Sequence, residues 1–196
     1  MSVEALRGEF DAARDDARAL LAGLDDAAFN WRRVPGTWSM AECVDHLNIT
    51  GRKYVRALDR AIEEGRARNL VGAGPFRYGL LEGWIVRFMD APPKMRIKAP
   101  KAFVPASEAR LAESLAAFVE MQDEFQKCLA RADGLDLGRV KARSPVSKRI
   151  KFSLGAAFAA ISAHQRRHLW QARQLRNDPR FRVALGAAGE SRSAGP

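Results

Sequence analysis

Two of the three histidines in this sequence lie four residues apart, in the segment ISAHQRRHLWQARQL at residues 161–175. If the segment is helical, His164 and His168 project from one face, because residues i and i+4 are neighbours on a helix surface. Two imidazoles at this spacing can reach one metal ion, although two ligands alone hold a metal weakly. The apolar residues of the segment share this face, which predicts that both rings point toward a hydrophobic core.

The third histidine, His46, lies in the segment ECVDHLNI, three residues after Cys43 and one before Leu47. This position borders the apolar face of its own predicted helix. If that helix packs against the one carrying His164 and His168, three nitrogens meet. Three protein ligands leave coordination positions open, as in catalytic metal sites. The residues alone also fit an alternative, in which the histidines are hydrogen-bonded groups of an ordinary core.

Helical periodicity of the apolar residues predicts the elements that position these side chains. The second helix has the clearest start: Ser39 is its predicted N-cap, Glu42 completes a capping box, and Trp38 can pack on Cys43. A shorter apolar helix is predicted at 76–89, and four prolines in 90–106 exclude a helix there. The four long predicted helices cover residues 3–30, 40–68, 108–132 (with Ser107 as N-cap) and 152–176.

These elements predict an all-α fold, because no segment shows a convincing strand alternation. The expected architecture is a four-helix bundle with a long crossover from helix 2 to helix 3 and one short accessory helix. We expect a single domain at residues 1–178, followed by a flexible tail at 179–196 that is small and polar.

Two motifs about 120 residues apart resemble those of the DinB-like (DinB/YfiT) superfamily. Together with the long crossover between them, they extend the resemblance over about residues 3–177. The first motif opens the second helix with Pro35, Gly36, Trp38, Ser39, Glu42, His46 and Leu47, and the second, on the last helix, comprises His164, His168, Leu169 and Gln171.

The resemblance implies a four-helix bundle whose divalent metal, zinc or nickel, is held by His46, His164 and His168. Characterised members of the superfamily include transferases and isomerases that use a low-molecular-weight thiol such as bacillithiol, mycothiol or glutathione. The implied function is a metal-dependent transferase that presents a metal-activated thiol to a small electrophile, because a metal lowers the pKa of a bound thiol.

Other functions stay open at this point. The same open coordination position could activate water for hydrolysis, and the sequence does not decide between thiol and water. A metal-binding stress protein without catalytic turnover is a further alternative, and a basic helical nucleic-acid-binding protein is a weaker one.

Several residues near the motifs have a structural and a functional interpretation. Glu42 lies four residues before His46 and could assist it or act as a general base, although the capping box already explains it. Arg167, with Arg166, could attract an anionic substrate, although a solvated helix face explains both. Cys43 could be a ligand, but a small buried hydrophobic residue is the favoured interpretation.

The formal net charge of +10 favours anionic partners in general. Most Arg and Lys residues stand beside Glu and Asp in helical segments, which is typical of a solvated surface and makes nucleic acid an improbable partner. The sequence shows neither a signal peptide nor a stretch of about 18 apolar residues. We therefore expect a cytoplasmic protein with a small-molecule substrate and no membrane contact, and a homodimer stays open.

Overall fold

Four long helices dominate the fold, and a long crossover joins the second of them to the third. The structure is a computed structural model that describes residues 2–93, 95, 98–147 and 149–183. In chain order, its elements are α1 (Val3–Leu21), α2 (Asp26–Phe29), α3 (Met40–Ala67), α4 (Leu80–Met89), a 3-10 turn (Lys101–Phe103), α5 (Leu111–Arg131), β1 (Lys141–Arg143), β2 (Lys151–Ser153) and α6 (Leu154–Arg176).

The long helices α1, α3, α5 and α6 form a bundle in which α1 and α3 each pack against both α5 and α6. Buried aromatic rings fill part of its centre: Phe10 stacks on Phe125 with ring centroids 4.8 Å apart and meets Phe158 edge-on at 6.3 Å. The predicted all-α four-helix bundle is confirmed. Among the helices of the described residues, none combines the length and the apolar composition that a bilayer crossing requires.

The first helix is shorter than the predicted 3–30, because the chain turns after Leu21. Gly23 adopts a φ of +74°, a conformation that glycine tolerates best, and this ends α1. Asp25 then caps the separate helix α2 by accepting a hydrogen bond from the Ala28 N–H at 2.8 Å. The apolar periodicity continued across this turn, which explains why the sequence suggested one helix.

The helix predicted from 108 begins instead at Leu111, and Ser107 is not its N-cap. The Leu111 N–H donates to the Asp26 carboxylate of α2 at 2.8 Å. Asn30 hydrogen-bonds both the N–H and the carbonyl of Ala109, so residues before Leu111 are held outside the helix. The start of α5 is therefore set by a tertiary contact that a local capping rule cannot detect.

A two-stranded antiparallel hairpin precedes α6, although the sequence indicated no strand. Ala142 pairs with Phe152 and both are buried. Strands of three residues are too short for an alternating pattern to be visible. The last helix consequently starts at Leu154 and not at 152, with Ser153 as N-cap accepting from the Ala156 N–H at 3.3 Å.

The packed part of the chain continues past the predicted domain boundary at residue 178. Residues 179–183 are helical, and Phe181 is buried with its ring centroid 5.3 Å from that of Trp31. Residues 184–196 lie outside the described residues, so the flexible tail stays a prediction there.

The accessory helix α4 lies against α6, where Val86 packs with Ala160 and Ala163. The helix predicted at 76–89 thus has the shorter range Leu80–Met89. Glu82 joins α4 to the start of α6, because its carboxylate accepts hydrogen bonds from the Ser153 N–H at 2.6 Å and the Ser153 hydroxyl at 2.8 Å. Burial raises the pKa of Glu82, but hydrogen bonds from Ser153 and Gly79 outweigh it and lower the pKa below its ordinary value.

We expect Glu82→Gln to lower the free energy of unfolding by about 1–2 kcal/mol at pH 7, because charged hydrogen-bond acceptors are worth more than neutral ones. The pKa of Glu82 is lowered in the folded protein. This stabilisation is therefore fully present above the unfolded-state pKa of ~4.3 and is lost as the pH falls through the folded-state pKa. Urea denaturation of both proteins from pH 7 to pH 3 measures it. Glu63→Gln, at an exposed site on α3, is the control, and an equal effect of both substitutions would contradict the prediction.

Candidate metal centre

The three histidines of the chain meet between α3 and α6. The Nε2 atom of His164 lies 3.3 Å from Nε2 of His46 and 3.1 Å from Nε2 of His168. One nitrogen from each ring lies within 4.8 Å of the other two. His46 and His168 are 5% and 7% exposed, whereas His164 keeps partial contact with solvent. The packing of α3 on α6 thus brings together the three residues that the motifs predicted.

A backbone carbonyl fixes the orientation of His46. Its Nδ1 lies 2.7 Å from the carbonyl oxygen of Phe103, in the 3-10 turn of the crossover. A carbonyl only accepts hydrogen bonds, so Nδ1 carries the proton and Nε2 presents a lone pair to the other two rings. Metal-binding histidines are commonly oriented by such a contact. No sequence pattern indicates this partner, because it is a main-chain atom 57 residues away.

The two nitrogen–nitrogen contacts of His164 cannot both be satisfied by neutral imidazoles. Nε2 of His164 holds at most one proton, and that proton can point along only one of the two contacts. If Nε2 is instead unprotonated, its lone pair faces the lone pair of His46. A cation at the centre of the three nitrogens satisfies all of them together.

The surroundings of all three rings disfavour the charged imidazolium form. Burial lowers the pKa of His164 to about 3, and His46 and Arg167 act in the same direction. Burial, the other two imidazoles and Arg167 hold the pKa of His168 well below its ordinary value, against a hydrogen bond with Gln171. Burial also lowers the pKa of His46, opposed by the Phe103 carbonyl and Asp45. Neutral rings keep their lone pairs available.

Trp38 forms one wall of the histidine cluster. Its ring centroid lies 4.9 Å from that of His46 and 5.6 Å from that of His168, with an angle of 30° between the planes of the Trp38 and His168 rings. The sequence suggested that Trp38 packs on Cys43, and Trp38 does border the buried cluster that contains Cys43. Its contact with the two imidazoles was not foreseen, since it depends on the approach of α6.

Glu42 and Cys43 have structural roles. The predicted capping box is present: the Glu42 N–H donates to the Ser39 hydroxyl at 3.1 Å, and the Glu42 carboxylate accepts from the Ser39 N–H at 2.7 Å. The same carboxylate forms an ion pair with Arg32. Burial and the Glu42 charge raise the pKa of Cys43 to about 12, so its thiol stays protonated. Assistance to His46 by Glu42 remains a prediction.

Arg167 lies beside the cluster and is buried, contrary to a solvated helix face. Its guanidinium donates to the carbonyls of Phe88 at 3.2 Å and Met95 at 2.7 Å. Among the described residues it forms no ion pair with a carboxylate, so its charge acts on the histidines. Arg166 instead pairs with Glu9 of α1 and with Asp90, which directly follows α4.

The bundle and its motifs agree with a comparison against protein families. The DinB superfamily matches residues 9–172, so the match includes all three histidines. The chain therefore belongs to the DinB superfamily. Searches of curated proteins and of solved structures gave no match.

The buried histidines predict acid sensitivity of the metal-free protein. An imidazole whose pKa is lowered in the folded protein takes up a proton on unfolding. The free energy of unfolding is therefore highest above the unfolded-state pKa of ~6.5 and falls as the pH drops toward the folded-state pKa. For His164→Leu, we expect the slope of unfolding free energy between pH 6 and pH 5 to decrease by about 1.4 kcal/mol per pH unit, or one proton. Urea denaturation in the presence of a chelator measures the slope.

The matched control is Gln174→Ala, an exposed position on the same helix, which should keep the wild-type slope. An unchanged slope in His164→Leu would contradict the lowered pKa of that ring.

Proposed function

We propose that His46, His164 and His168 bind one divalent metal ion, zinc or nickel, and that the protein is a metal-dependent transferase acting with a low-molecular-weight thiol. The convergence of three Nε2 atoms from two helices is the observation that carries the proposal. Imidazole nitrogen is a ligand that both metals accept.

The spacing of the nitrogens fits this ligand set. Nitrogens about 2.0–2.1 Å from a tetrahedrally coordinated metal lie roughly 3.3 Å from each other. The two Nε2–Nε2 distances that involve His164 are 3.3 and 3.1 Å, and the ligand nitrogens of His46 and His168 lie within 4.8 Å of each other. The Phe103 carbonyl holds His46 in the tautomer that binding requires. Little rearrangement of the side chains would therefore be needed.

When bound, the metal would lower the pKa of a coordinated thiol and hold it as thiolate at neutral pH. The protein contributes orientation and charge to this chemistry. Arg167 supplies a positive charge that favours an anionic ligand beside His168. Trp38 shields the rings on one side, and the partial exposure of His164 leaves an approach for substrate.

The surroundings of the cluster favour a thiol over water as nucleophile. Hydrolysis by metal-activated water commonly uses a carboxylate as general base. Within the described residues, no carboxylate belongs to the histidine cluster. The carboxylate of Glu42, the candidate from the sequence, is engaged by Ser39 and Arg32. A thiol needs no such base once its pKa is lowered.

Metal analysis tests the ligand set. We expect protein purified without added metal to contain about one equivalent of zinc or nickel, and His164→Ala to contain less than a tenth of that, because two ligands hold a metal weakly. The readouts are elemental analysis and the decrease in Tm on adding a chelator, which should occur in wild type and be absent in His164→Ala.

Gln174→Ala serves as the control and should retain metal. Absence of metal from wild-type protein, even after incubation with zinc or nickel, would contradict the proposed site.

Turnover tests the reaction. We expect the wild-type protein to conjugate a thiol with a small electrophile, to lose this activity with a chelator and to regain it with metal. Arg167→Gln should reduce kcat/KM by roughly tenfold at unchanged metal content, because one favourable charge near the thiolate is worth about 1–2 kcal/mol. A panel of bacillithiol, mycothiol and glutathione with several electrophiles measures it.

Hydrolysis of an electrophile without thiol would replace the transferase assignment by a hydrolase. Bound metal without turnover of any pair would indicate a non-catalytic metal-binding protein.

A further inference from the structure

A shallow depression lies between the C-terminal end of α3 and the β1–β2 hairpin. Its volume is about 110 Å³. One acidic side chain, Glu64, lines it beside four basic ones, so three positive charges remain in excess. The basic residues are Arg68 from the end of α3 and Lys141, Arg143 and Lys151 from the hairpin.

These cations are poorly neutralised. Arg68, Arg143 and Lys151 form no ion pair with any carboxylate in the described part of the chain, and Lys141 reaches only Glu82 at 4.0 Å. The Glu82 carboxylate is already bonded to Ser153. Like charges directly opposite each other across two strands are destabilising, and Arg143 stands directly opposite Lys151. An anion in the depression would relieve this repulsion.

The floor of the depression is apolar and closely packed. Gly65 allows the chain before β1 to approach α3 closely, because a Cβ at this position would lie 2.7 Å from Cγ2 of Val140. The carbonyl oxygen of Gly65 accepts a hydrogen bond from the Leu70 N–H, and that of Glu64 from the Arg68 N–H. One lone pair of each of these two helix-end carbonyls is therefore used within the fold.

We propose that this depression binds one phosphate group, carried by a phosphomonoester or present as inorganic phosphate. The volume is well below the ~300–1,000 Å³ of pockets that enclose a drug-sized ligand, so the depression accommodates only a small group. Arginine and lysine together suit a phosphate oxyanion. Concentration of the four cations in one depression favours a single phosphate over an extended nucleic-acid backbone.

This site is separate from the histidine cluster. His46 and Gly65 lie on the same helix, 19 residues apart by their numbers, which corresponds to roughly 28 Å at 1.5 Å per residue. Substitutions at either site should therefore leave the other site intact. The metal content then measures the state of the histidine cluster independently of phosphate binding.

Calorimetric titration with phenyl phosphate, inorganic phosphate and a single-stranded DNA decamer, at constant ionic strength set with potassium chloride, tests the proposal. We expect saturable binding of phenyl phosphate with one site per chain. The double substitution Arg143→Gln and Lys151→Gln should weaken it at least tenfold, and Arg68→Gln, on the opposite wall, at least threefold. Glu64→Gln should tighten it, because a negative charge beside the four cations is removed.

Arg18→Gln is the matched control, since it removes the same charge from an exposed position on α1 and should leave the affinity unchanged. The unliganded double variant should have a Tm equal to or above that of wild type, because the opposed like charges are gone. Unfolding would therefore not explain its loss of binding.

Tighter binding of phenyl phosphate than of inorganic phosphate would identify an ester as the ligand, and equal binding would identify the free ion; both support the proposal. It is overturned if the wild-type protein shows no saturable phosphate binding, or if Arg18→Gln weakens binding as much as the hairpin substitutions. Binding of the decamer without binding of phenyl phosphate would also overturn it and would indicate a nucleic-acid surface.

Discussion

Three imidazole rings form a largely buried cluster between α3 and α6. The close contact between their nitrogens has to be stabilised by the structure around it. Their nitrogens approach to 3.1–3.3 Å, which is unfavourable unless a proton or a cation lies between them. Burial disfavours the protonated rings, as the lowered pKa of His164 shows. The helices must therefore be held together by other packing, which the aromatic centre around Phe10 and Phe125 provides. The cluster is maintained by the bundle, and not the bundle by the cluster.

The crossover between α3 and α5 covers this place, and the helices that carry the histidines hold its backbone. His46 contacts the Phe103 carbonyl, Arg167 donates to the Phe88 and Met95 carbonyls, and Asp45 accepts from the Ala106 N–H at 3.1 Å. All of these contacts use main-chain atoms of the crossover. Its course is thus coupled to the orientation of the histidines, and the Asp90 side chain adds an ion pair with Arg166 of α6.

The strongly basic composition has two different structural roles. Several arginines join neighbouring helices through ion pairs, as Arg14 does with Asp123 and Arg173 with Asp16. These charges are used within the fold and say little about partners. Other cations, those around the hairpin, have few acidic partners and lie together. The net charge alone did not separate the two groups, because pairing depends on which helices are adjacent.

Local patterns of the chain were enough to predict the bundle, the N-cap of α3 at Ser39 and the three histidines as one set, because apolar periodicity, capping boxes and i, i+4 spacing can all be read from neighbouring residues. The predicted start of α5 was wrong because Asp26 sets it, and the predicted start of α6 was wrong because the hairpin precedes it. The predicted end of α1 was wrong because the chain turns at Gly23. Three features follow from the packing alone: the Phe103 carbonyl orients His46, Arg167 is buried without a carboxylate partner among the described residues, and the hairpin cations meet Arg68. These contacts join residues far apart in the chain, and a local pattern carries no information about them.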